Sequence, residues 1–212
     1  MLKLSSYLVV IALLGSGCSS MYYAGMESVG VHKRDIMVDR VEDVQESQED
    51  AQKEFKSALE HFGTLVTIKE TNLKEAYEDF NDEYEDAKEA AEDVSKSINK
   101  LEDVSLALFE EWEDEIVMYT NAKLQKQSKD KLLDTRSKYN AMIKSMRKSE
   151  QSMEPILATF HDNVLIMKHS LNAQAVGALQ GEFDGLKSNI DTLIDQMNQS
   201  IKASDKFIKE MK

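Results

Sequence analysis

Between Leu73 and Tyr119 the chain sets a residue on one line at alternating steps of four and three. The positions are Leu73, Tyr77, Phe80, Tyr84, Ala87, Ala91, Val94, Ile98, Leu101, Ser105, Leu108, Trp112, Glu115 and Tyr119. All but Ser105 and Glu115 are apolar or aromatic, and neither Pro nor Gly interrupts the run. The positions between are mostly Glu, Asp, Lys and Ser. This heptad spacing predicts a long helix with one narrow apolar seam that partner helices must cover. At 1.5 Å per residue the helix is about 70 Å long.

Three more segments keep the same step. Met37, Val41, Val44, Gln48, Ala51, Phe55, Ala58, Phe62 and Leu65 predict a helix from about Lys33 to Leu65. Thr67 with Glu70, and Asn72 with Glu75, have the form of helix starts, which predicts a turn near residues 66–72. Thr120-Asn121 predicts the next restart. Leu132, Thr135, Tyr139, Met142, Met146, Ser149, Met153, Ile156, Phe160, Val164, Met167 and Leu171 form the third seam. The only proline, Pro155, falls inside it. A kink there is preferred to a new helix because the apolar register continues through it. Ala173, Gly177, Gly181 and Gly185 recur every four residues, which marks either a close helix crossing or a turn. Leu179, Phe183, Leu186, Ile190, Leu193, Met197, Ile201, Ser204, Ile208 and Met211 make the fourth seam. The expected fold is all-α: an elongated antiparallel bundle or coiled coil of about four long helices over residues 33–212. Their unequal lengths predict that one end projects as a two-helix pair.

Composition narrows the function. The 212 residues carry a net charge of −13, and residues 1–17 hold only Lys3. Such acidity argues against a nucleic-acid partner, which needs a basic face, and keeps a long bundle soluble. The N-terminus reads as an export signal. Lys3 precedes the short apolar run Tyr7 to Leu14, followed by Gly15-Ser16-Gly17-Cys18. The run is too short to span a bilayer. It resembles a bacterial lipobox, with Gly15 where an apolar residue is usual and Leu14 one place further back. The expected organisation is a signal peptide at 1–17, a lipidated tether at 18–32 and the bundle at 33–212. Cys18, the lone cysteine, is the expected lipidation site, and several acyl chains on it give stable anchoring. Ser19 rather than Asp follows, which by resemblance to the lipoprotein sorting rule favours the periplasmic face of the outer membrane.

The remaining chemistry is sparse. Tyr22 and Tyr23 suit either the lipid interface or a cap on the bundle. His32, Lys33 and Arg34 are candidate headgroup contacts, or ion-pair partners of Asp35 and Asp39. The acidic groups Asp82, Glu83, Glu85, Asp86 and Glu110, Glu111, Glu113, Asp114 lack the glycine turn of a calcium loop and read as a solvated face. Met142, Met146, Met153 and Met167 alternate with other core residues, so they read as core filling and not as a soft-metal stripe. His161 and His169 have no helical partner at metal-ligand spacing. No metal, cofactor or catalytic residue is expected.

Several stretches carry a resemblance. They are Tyr22-Tyr23-Ala24-Gly25-Met26-Glu27, Val29 to Asp35, Val38 to Asp43, Leu108 to Glu115, and Asp162-Asn163-Val164-Leu165 through to Gly181-Glu182-Phe183. With these the chain resembles a family of Gram-negative bacterial lipoproteins catalogued as a domain of unknown function. The resemblance covers nearly all the mature chain and implies an all-helical lipoprotein; it brings no site residues. The expected function is a structural or protein-interaction module of the cell envelope. Its partners would be the membrane, through acyl chains on Cys18, and an envelope protein or a second copy. The alternative is a ligand- or ion-binding bundle. No nucleophile motif points to an enzyme.

Overall fold

The structure, a computed structural model, describes residues 32–68 and 72–211. The signal peptide, Cys18, Tyr22, Tyr23, Glu70 and all of the tether but His32 lie outside those residues. The described chain forms six helices and no strand: α1 (Lys33–Thr67), α2 (Leu73–Met118), α3 (Ala122–Gln151), α4 (Glu154–His169), α5 (Ala173–Leu179) and α6 (Phe183–Met211). None of them is long and apolar enough to cross a membrane.

The helices stand in four columns. α1 and α2 pair along the length of α1 as an antiparallel hairpin, the most extensive contact in the molecule. α3 returns along the second half of α2, and α4 continues along its first half. α6 closes the bundle against α1 and α3. Directions alternate up and down around the bundle, as short connections require. The two ends can be named by their residues. At one, Lys33 reaches Glu111 and Lys138 reaches Glu210, so the start of α1, the α2–α3 turn and the end of α6 lie together. At the other lie the end of α1, the start of α2 and α5.

The seams are buried as their spacing demands. From Leu73 to Leu108 every seam position of α2 is buried except Tyr77, which is half-buried. Aromatic clusters fill both ends of the core. Phe62, Phe80, Phe160 and Phe183, one from each column, meet with centroids 5.1 to 6.2 Å apart. Phe109, Tyr139 and Phe207 meet at the Lys33 end with centroids 5.4 and 6.3 Å apart. Each such pair contributes about 0.5–1.5 kcal/mol beyond its buried area. Between them lies a polar layer. Gln48 is fully buried and its Nε2 donates to Ser149 Oγ at 2.8 Å, while Ser149 Oγ donates to Met146 O. Gln48 Oε1 and Ser200 Oγ have no partner, a cost carried by the large apolar core around them.

Several sequence expectations change. Thr67 ends α1 and does not start a helix: its Oγ1 donates back to Gly63 O. Asn72 occupies the N-cap of α2, but its side chain makes no capping bond. Asn121 does cap α3, its Oδ1 accepting from Lys123 N and Leu124 N. The third column is broken at Pro155, whose ring removes a donor and clashes one turn back. A new helix, not the preferred kink, therefore starts there, although the apolar register continues across the break. Ser152 and Met153 keep right-handed helical dihedrals, and Met146, Ser149, Met153, Ile156 and Phe160 are all buried in one register. Leu171 falls beyond α4 and is exposed.

The glycine strip is a turn and not a close crossing. α5 ends at Leu179, α6 begins at Phe183, and a Cβ at Gly177, Gly181 or Gly185 would meet nothing within 4 Å. The glycine that permits a close approach is Gly63 on α1. A Cβ there would sit 2.8 Å from Cε2 of Phe183.

Candidate functional site

A strongly charged concavity runs between α1 and α2. Their seams meet through small residues, with Ala51, Ala58, Ala87 and Ala91 all buried, so the two backbones lie close and their flanking charges face each other. α1 contributes Asp43, Glu46, Asp50 and Glu54; α2 contributes Asp86, Glu89 and Asp93; Lys53 and Lys100 stand among them. Ser47 and Ser97 hydroxyls meet at 2.9 Å across the groove.

One cluster in this face draws on both helices. Single carboxylate oxygens of Glu54, Glu83 and Asp86 all lie within 4.8 Å of one another. Partial burial, then the charges of Asp86, Glu83 and Asp50, push the Glu54 carboxyl above its usual range. His61 Nε2 lies 3.6 Å from Glu83 Oε1 on the other side. The arrangement attracts cations and repels anions. The sequence showed Glu83 and Asp86 as part of a solvated face; Glu54 sits in another helix, so no spacing within one helix reveals the convergence.

The other expected positions fall as follows. His32 and Arg34 are exposed at the start of α1, while Lys33 is half-buried with its ammonium 3.1 Å from Glu111 Oε1. His32 O accepts from Asp35 N and Ile36 N. Met142, Met146, Met153 and Met167 are buried core, as their spacing predicts. His161 lies on α4 with its ring 5.9 Å from that of Tyr84. Trp112 is half-buried and its indole Nε1 donates to Ser128 Oγ at 2.9 Å. Tyr139 is buried, which pushes its phenol above the usual range.

A long all-helical bundle with charged flanks and a filled interior is the class this architecture defines. Within it the chain belongs to the family described as "Protein of unknown function (DUF2959)", which matches residues 22–211. No curated protein and no solved structure matches the chain.

Proposed function

We propose that the protein is a lipid-anchored module of the cell envelope that works by contacting another envelope component, not by catalysis. Acyl chains on Cys18 would hold it at the membrane, and Ser19 favours the periplasmic face of the outer membrane. The observation that carries this reading is where α1 begins. Lys33 stands at one end of the bundle beside Glu111, and Cys18 precedes it by 15 residues. An anchor at that position holds the bundle by one end and leaves about 50 Å of charged flank reaching away from the lipid. The filled core supports the same reading: the largest seam side chains, such as Phe55, Phe62, Phe80 and Phe160, are fully buried in mutual packing.

Crosslinking in intact cells tests it, with a tag after Lys212 and with Cys18→Ala as the comparison. A defined envelope protein or a second copy should be captured by the wild type and lost in the variant. Clean monomer in both would overturn the proposal. The competing reading is an ion- or ligand-binding bundle, and the convergence of Glu54, Glu83 and Asp86 is the observation in its favour. Thermal unfolding in millimolar calcium or magnesium separates the two. A midpoint raised in the wild type but not in Glu54→Gln would transfer the function to ion binding; flat responses in both support the interaction module.

A further inference from the structure

We infer that the α2–α3 turn is a membrane-docking tip that inserts into the bilayer interface beside the anchor. The inference rests on the lipid-anchor reading for its orientation, but its evidence is separate. α2 runs past the level of Lys33, where Glu111 sits, by the seven residues from Trp112 to Met118, a projection of about 10 Å. At its apex Val117 and Met118 are each 74% exposed, the highest values among the exposed large hydrophobic residues. Tyr119 and Leu124 are exposed beside them. An interfacial tip buries four such residues in the acyl boundary and sets the tyrosine at headgroup level.

The apex is also built to leave water. Part of its backbone is satisfied from within: Asn121 Oδ1 accepts from Lys123 N and Leu124 N, and Gln125 Nε2 donates to Ile116 O at 3.1 Å. Helix-end groups answered in this way cost less to place near lipid than bare ones. In an acidic chain, residues 122–131 hold four lysines against one aspartate, so the first turns of α3 present cations where anionic headgroups would lie. The projecting end of α2 carries three exposed acids, Glu113, Asp114 and Glu115, of which Arg136 pairs with Glu113, and Lys33 pairs with Glu111 at its base. Lys33 pairs with Glu111 at the base of the tip, and Cys18 lies 15 residues before it in the chain, a length that reaches the lipid beside the tip.

The test places a fluorescent thiol label at the tip or far from it in the full chain. Met118→Cys and Leu165→Cys proteins, produced in cells that acylate lipoproteins, are reconstituted into phosphatidylethanolamine–phosphatidylglycerol vesicles with brominated acyl chains. Mass spectrometry reads the state of Cys18. The label at 118 should shift to the blue and lose at least half its emission to bromine quenching, while the label at 165 stays in water. An acylated, vesicle-bound protein whose label at 118 remains in water would overturn the tip and leave the anchor standing. If Cys18 carries no acyl chain, the anchor reading fails, and quenching at 118 on added vesicles still decides the tip by itself. A label at 118 shielded in cells but wet on vesicles assigns the tip to a protein partner and overturns the bilayer. Val117→Asp/Met118→Asp, at the two most exposed of these side chains, should abolish the protection of a label at 124 while leaving the thermal midpoint unchanged.

Discussion

Glu54 shows what a side chain owes to a helix it does not belong to. Its own neighbours include Asp50 and Lys53, but Glu83 and Asp86 come from α2 and press against the same carboxyl. Because the folded protein raises this pKa, the ionised group costs stability, and the cost vanishes once the carboxyl is protonated. It is absent below the ordinary carboxylate range and complete above the raised value. Stability attributable to Glu54 therefore grows as pH falls from neutrality into the carboxylate range. Glu54→Gln should be more stable than the wild type at pH 7 by less than about 1 kcal/mol, the scale of solvent-screened charges. The difference should close near pH 4. Urea unfolding at both pH values checks it, and a variant that is less stable at pH 7 would contradict the account.

At the scale of elements, the glycines divide by what faces them. Gly185 lies in the first turn of α6, exposed and with open space where a Cβ would go. Gly185→Ala should stabilise by about 0.5–1 kcal/mol through helix propensity alone. Gly63→Ala gains the same propensity but drives its methyl into the Phe183 ring, which already packs near Phe62. It should forfeit that gain and fall below Gly185→Ala in thermal midpoint. Equal midpoints would mean that the ring moves away freely.

The same contrast explains what the sequence could tell. The seam of α2 is legible from Leu73 to Leu108 because helices cover it along that whole length. It fails at Glu115, which is exposed, while Ile116 is buried. Past Lys33, α3 is the remaining partner among the described residues, and the buried face turns toward it. On α6, Ser200 and Phe207 are buried alongside the expected positions because that helix faces both α1 and α3, which widens its apolar face beyond one seam. The carboxylate cluster, the Gly63 approach and the exposed tip all depend on which residues of different helices share a level. A repeating pattern fixes the face of each helix but not that level.

For the whole molecule, charge sets the conditions. A net charge of −13 spread along a narrow bundle repels itself, and its intrahelical ion pairs, such as Lys88–Glu85 and Lys187–Asp191, are individually weak at exposed sites. Raising salt from about 0.01 to 0.1 M shortens the screening length from about 30 to 10 Å. The thermal midpoint should rise over that range, by a few degrees; a fall would mean that the paired charges outweigh the excess. Charge gives the helices no alignment, however, and neither does apolar surface. Seams built on one repeating step pair almost as well one heptad out of place. Gln48 and Ser149, 101 positions apart in the chain, meet in a single alignment. A slip of seven residues would set the amide against Met142 or Ile156, leaving its donor stranded too, at a cost of about 1–3 kcal/mol. The polar layer is thus the vernier of the bundle, the mark by which interchangeable rungs are told apart.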